Sequence, residues 1–158
     1  MTPEPENMSD SLGGRIEAAM RDAMRARDQQ RTQTLRMVMA DAHNRRIALG
    51  RDLTDEEVVD VVTRQVKQRR ESIEMYAAAG RTDRADLEQA EAAILAEFLP
   101  EQLDEARIED LARAAIAEIG AASPADMGRV MGHLSPQTRG RADGRAVSEV
   151  VRRLLAGA

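Results

Sequence analysis

Only Tyr76 and Phe98 among 158 residues carry a phenyl ring, and tryptophan and cysteine are missing altogether. A core must therefore be assembled from Leu, Ile, Val, Met and Ala. Such side chains suit helix packing by ridges into grooves better than a sheet sandwich, where aromatic and β-branched residues dominate. Nine methionines give that core some adaptability. The missing thiols exclude disulfides, thiolate zinc sites and cysteine nucleophiles. The chain length allows one domain or two small helical subdomains.

Punctuation by caps and stops divides the chain into helices. Residues 1–9 are polar, contain two prolines and are expected to be disordered. Asp10 or Ser11 can cap a first helix bearing Leu12, Ile16, Met20 and Met24. After a break around Asp28–Arg31, a second helix is expected from about Thr34 to Leu49, with Gly50 as a left-handed stop. Leu35, Val38, Met39, Ala42 and Leu49 form one face of it. Met37, Ala40 and Ala48 lie on the other side, which predicts cover from two directions. Thr54-Asp-Glu-Glu57 is a capping box, opening a helix that can run to Ala79. Its apolar stripe is Val58, Val62, Val66, Ile73 and Tyr76, broken by Arg69. Thr82 or Asp83 starts a fourth helix with Leu87, Ala90, Ile94, Leu95 and Phe98, ended by Pro100.

Asp104 caps the next helix, which carries Ile108, Leu111, Ala115, Ile116 and Ile119 and closes at Gly120. Ser123-Pro-Ala-Asp126 combines a cap with proline at the first helical position. It predicts a short helix through Met127, Val130 and Met131, followed by a loop over Ser135–Arg141. Asp143 can cap a last helix with Val147, Val150, Val151, Leu154 and Leu155. No alternating strand pattern survives. The expected fold is all-α in two subdomains: an N-terminal long-helix bundle over residues 10–100 and a C-terminal three-helix subdomain over 101–158.

The formal charge of −5 argues against a generic DNA coat. Its distribution is uneven. Residues 127–158 carry six arginines (Arg129, Arg139, Arg141, Arg145, Arg152 and Arg153) against Asp143 and Glu149, a local net of +4. A cationic end on an acidic chain can have its own partner. No segment approaches the apolar length of a membrane span, and Met1–Asp10 lacks the pattern of a secretory signal. A cytoplasmic address is expected.

Three stretches resemble the successive signatures of the GatB/YqeY family: Phe98-Leu-Pro-Glu-Gln-Leu103, Ala125-Asp-Met-Gly-Arg-Val-Met131 and Arg139-Gly-Arg-Ala-Asp-Gly144. Leu35-Arg-Met37 with Asn44, and the run from Lys67 to Ile73, fit the N-terminal half in the same order. The resemblance spans residues 11–156 and is to stand-alone YqeY-like proteins. Other members are the tail domains of the GatB component of the tRNA-dependent amidotransferase, which turns mischarged Glu or Asp into Gln or Asn. It implies a two-part helical fold and a role near tRNA. It also brings a family-level carbon–nitrogen ligase activity with glutamine as amido donor. In the amidotransferase that chemistry belongs to domains for which this chain has no room. The Gly132–Thr138 linker, containing Pro136, departs from the tails in being longer.

The site expectations follow from charge and turn chemistry. Backbone N–H groups at a helix start favour an anion, and Arg139, Arg141 and Arg145 around Gly140 can grip phosphate in a fork. Arg129 joins them as a further phosphate-binding candidate. A tRNA backbone offers such phosphates without base readout. The competing reading makes Gly140 and Gly144 mere turn residues, with Asp143 occupying the cap. Gly128 would permit close approach of a helix or backbone. Arg69, inside an apolar stripe, must pair with a carboxylate or snorkel outward; a structural ion pair is expected. His43 and His133 fall on different subdomains, so no metal site is expected. No catalytic residues and no cofactor are assigned. The expected function is a non-catalytic module that binds tRNA or a tRNA-modifying enzyme. The alternatives are a protein–protein adaptor without nucleic acid, and an accessory to amidotransferase activity.

Overall fold

A computed structural model describes residues 10–157; the expected disorder of residues 1–9 lies outside them. The described residues form α1 (Leu12–Arg25), α2 (Gln29–Leu49), α3 (Asp55–Ala78) and α4 (Thr82–Ala96) in a first unit. A second unit holds α5 (Glu105–Ile119), a 3-10 turn (Pro124–Asp126), α6 (Met127–Thr138) and α7 (Gly144–Ala156). No strand occurs among the described residues, so the protein is all-α. The units are residues 1–99 and 100–158.

In the first unit, Ser11 caps α1 by accepting from Gly14 N at 3.0 Å. Asp55 Oδ1 accepts from Leu12 N at 3.0 Å, which ties the start of α1 to the first turn of α3. Both halves of the Thr54/Glu57 capping box are made. α3 packs chiefly on α4, and α1 on α2. Leu12, Ile16, Leu35, Val38, Val58, Val61, Val62, Val66 and Leu95 form the core. Four of α3's core residues are valines, poor helix formers in isolation. Burying each stabilises by about 1.5–3 kcal/mol, which outweighs a propensity deficit of a few tenths.

Several boundaries differ from expectation for physical reasons. α2 begins at Gln29, five residues before Thr34, because Asp28 caps it by accepting from Arg31 N at 3.0 Å. Thr32 and Thr34, poor helix formers, are buried in its first turns with their hydroxyls donating to the carbonyls of Asp28 and Gln30. α2 meets α1, α3 and α4, but it is buried only over its first half. Val38 is its last buried residue, and beyond it Ile47 and Leu49 are exposed, as is Met37, whose sulfur nonetheless meets Arg69 of α3. Leu87 of α4, placed in the apolar stripe by its spacing, is exposed as well.

The second unit shows the clearest departure. Ser135–Arg141 is not a loop: α6 continues through Pro136 to Thr138. Proline removes one intrahelical bond, that to Gly132 O, and crowds the same carbonyl. Only two residues follow in the helix, while Leu134 and Thr138 on either side are buried. Thr138 Oγ1 donates to Leu134 O at 3.3 Å. Ile108, Ala112, Ala115, Val130, Leu134, Val147, Val150, Val151 and Leu155 make this unit's core. α5, α6 and α7 each touch both of the others.

Candidate anion-binding bend

The corner joining α6 to α7 is wound tightly. Arg141 N and Ala142 N both donate to Thr138 O, at 2.9 and 3.1 Å. Gly140 is buried with φ +72°, so the left-handed residue that the corner requires is this one. Gly144 has no such duty. It is the first residue of α7, its φ is not positive, and a methyl group there would meet nothing within 4 Å.

An irregular segment, Pro100–Leu103, is bonded to this corner. Leu103 N donates to Arg141 O at 2.7 Å. Gln102 Nε2 donates to Gly140 O and to Pro100 O, both at 2.8 Å. Arg141 returns the contact, its Nε donating to Glu101 O at 3.1 Å while Nη1 donates to Gln137 O at 3.3 Å. Two sequence signatures about forty positions apart thus form one clamp. The partners that hold Arg141 are main-chain carbonyls, invisible to any reasoning from side-chain type. Gln102 was legible only as a member of a motif, with no signal of its role.

Charge is what the clamp leaves over. Arg141 is half-buried, and among the described residues it pairs with no carboxylate. Neutral dipoles orient its guanidinium without cancelling its charge. Asp143 caps α7, its Oδ1 accepting from Arg145 N at 3.1 Å, so that helix start is already served by a carboxylate. The side chains of Arg139 and Arg145 are exposed on either side of the corner. Arg139, Gly140 and Arg141 lie in the corner itself and Arg145 in the first turn of α7.

Arg129 lies apart from them. It sits in the first turn of α6, about 15 Å along the helix from the corner at 1.5 Å per residue. Its Nη1 pairs with Asp126 Oδ1 at 3.2 Å and its Nη2 donates to Ile119 O at 3.2 Å, fastening the end of α5. Asp126 in turn accepts from Ala122 N and Ser123 N, and these two N–H donors chiefly hold its carboxyl below the ordinary range, with Arg129 adding to them. Gly128 is helical and exposed, and among the described residues a methyl group there would meet nothing within 4 Å. Arg153 is also committed, to Glu109 at 3.0 Å and Glu105 at 3.5 Å on α5.

Arg69 belongs to a separate arrangement in the first unit. Its side chain is 5% exposed and its Nε lies 3.1 Å from Glu91 Oε2 on α4. Nη1 donates to Gln65 O at 3.1 Å and to Gln65 Oε1 at 2.6 Å. Gln65 Nε2 donates to Asp41 of α2. A polar chain Asp41–Gln65–Arg69–Glu91 thus joins three helices, and its members satisfy the buried charge. His133 of α6 faces Glu118 of α5 at 2.5 Å, while His43 lies in the other unit. Among the described residues no cluster of His, Asp and Glu could hold a metal ion, and no helix is long and apolar enough to cross a membrane.

Fold and corner together define an all-helical protein of two units, the second carrying an arginine clamped by carbonyls at its α6–α7 corner. The chain belongs to the YqeY-like family: the family described as "Yqey-like protein" matches residues 14–155. It is 28% identical over 159 residues to "Altered inheritance of mitochondria protein 41, mitochondrial" of Pyrenophora tritici-repentis (strain Pt-1C-BFP), a match covering 98% of this chain and 84% of that protein.

Proposed function

We propose that this chain is a non-catalytic helical module that binds tRNA, or an enzyme acting on tRNA, through the α6–α7 corner. The observation that carries this reading is Arg141: a half-buried guanidinium held by the carbonyls of Glu101 and Gln137, with its charge left uncancelled. A cation fixed in this way loses little rotamer entropy when it meets a phosphate. Arg139 and Arg145 extend the cationic surface to both sides of it, and phosphate contacts of this kind need no base readout. Arg129, spent on Asp126 and Ile119, is not part of the contact set.

A gel shift with total tRNA tests the site. Arg139→Glu/Arg145→Glu, which spares the clamp residue, is expected to abolish the shift seen with the unaltered chain. Equal shifts would reject the corner as the contact.

A protein–protein adaptor without nucleic acid is the second reading, favoured by exposed apolar groups in the first unit, Ile47 at 66% and Met75 at 73%. Pull-downs from nuclease-treated and untreated lysate separate the two. Partners that disappear on nuclease treatment support the tRNA reading, and partners retained support the adaptor.

A further inference from the structure

Methionine sulfur is a weak hydrogen-bond acceptor, yet one such sulfur serves a buried guanidinium here. Arg69 Nη2 donates to Met37 Sδ at 3.8 Å, from α3 to α2. The other Arg69 donors face oxygens: Nε meets Glu91, and Nη1 meets Gln65 twice. Met37 itself is 53% exposed, while the Arg69 side chain that its sulfur meets is 5% exposed. Met24 and Met75 are exposed too.

We propose that Met37 is a site of reversible oxidation whose sulfoxide is bound by Arg69, so that oxidation tightens the α2–α3 contact. With hydrogen peroxide as oxidant, the sulfur lone pair attacks one peroxide oxygen and the O–O bond breaks. Sulfur gives up two electrons and keeps that oxygen. The departing hydroxide takes the proton of the transferred OH and leaves as water. A thioether thereby becomes a strong acceptor on the donor that had only sulfur, and the S–O bond points a charge-assisted bond at Nη2. Oxidation elsewhere puts a polar group where an apolar one packed. Met37 is already half exposed, so little packing is sacrificed. A dithiol-fed sulfoxide reductase returns the thioether. This reading is independent of the tRNA proposal and uses the other unit of the chain.

The test is parallel peroxide treatment of the full chain and of Met37→Leu, followed by peptide mass spectrometry and denaturant unfolding. The Met37→Leu chain carries every other sulfoxide and so isolates the effect of this one. Met37 should be oxidised at doses that oxidise Met24 and Met75, and oxidation should shift the unfolding midpoint more favourably in the unaltered chain than in Met37→Leu. Met37→Gln, which offers a carbonyl oxygen at similar reach without peroxide, should exceed Met37→Leu about tenfold in folding equilibrium constant, the worth of one hydrogen bond to a charged group. A Met37 that stays reduced, an equal or less favourable midpoint shift, or a Met37→Gln chain no more stable than Met37→Leu would each overturn the proposal.

Discussion

Arg141 reaches back forty residues to the Glu101 carbonyl, its Nε 3.1 Å from that oxygen, while its own carbonyl accepts from Leu103 N at 2.7 Å. The same residue thus donates to one end of the 101–103 segment and accepts from the other. This double tie converts a short turn after α6 into a fixed corner and leaves a cation at its surface.

Replacing Arg141 should cost stability before it costs anything else. Arg141→Ala removes the bonds to Glu101 O and Gln137 O. A destabilisation of about 1–3 kcal/mol is expected for a charged donor with two carbonyl partners. Urea unfolding of the full chain, followed by circular dichroism, reads it directly. An unchanged midpoint would show that the clamp is not holding the corner.

The polar chain in the first unit makes an asymmetric prediction. Arg69→Ala strands Gln65 and leaves Glu91 unpaired, a cost of about 3 kcal/mol or more for a buried ion pair broken on one side. Glu91→Gln keeps an acceptor oxygen for Nε but leaves a guanidinium that is 5% exposed without its counter-charge, and should cost at least as much, because the Glu91 that Arg69→Ala leaves behind is 29% exposed and can be hydrated. Denaturant titrations of the two single variants check the ranking.

Glu57 links stability to pH. The hydrogen bond from Arg51, first, and that from Thr54 N lower its carboxyl from an ordinary 4.5 to about 2. A lowered value means that the charged form favours the folded state. The contribution is complete above about pH 4.5 and fades as pH falls towards 2. The unaltered chain should therefore melt above Glu57→Gln at neutral pH, and the two melting curves should converge as the solution is acidified through that window. A gap that is constant with pH would contradict the assignment.

Arg27 is the one non-glycine residue at positive φ among the described residues, at +57° in the corner between α1 and α2. Left-handed geometry strains an L-residue by about 1–2 kcal/mol, partly offset in glycine by its greater chain entropy when unfolded. Arg27→Gly should raise stability by about 0.5–1 kcal/mol, measured as a higher thermal midpoint.

Much of the helical frame was legible in the residues. Gly50 and Gly120 end α2 and α5 in the left-handed conformation, and Asp104, Thr54 and Asp143 cap α5, α3 and α7. These are local signals, settled within four residues of chain. The failures are where burial decides instead. Pro136 reads as a loop residue, yet the buried Leu134 and Thr138 carry the helix past it. Met37, Leu49 and Leu87 fit apolar faces by spacing, but each stays about half exposed. The four arginines Arg129, Arg139, Arg141 and Arg145 could be read from the sequence as a cationic set. Their unequal fates could not, because Arg141 is held by carbonyl oxygens brought from Glu101 and Gln137, and Arg129 is drawn away by Asp126 and Ile119.

The central claim, that this corner holds phosphate, is tested most directly by the salt dependence of tRNA binding for the unaltered chain and for Arg139→Ala/Arg145→Ala, both verified as folded by circular dichroism. Fluorescence titrations with total tRNA from low to physiological salt should give affinity falling linearly on a log–log scale. The double variant should bind more weakly, with a slope shallower by ~0.7–0.9 for each phosphate it no longer neutralises. Identical affinities and slopes for the two chains would contradict it.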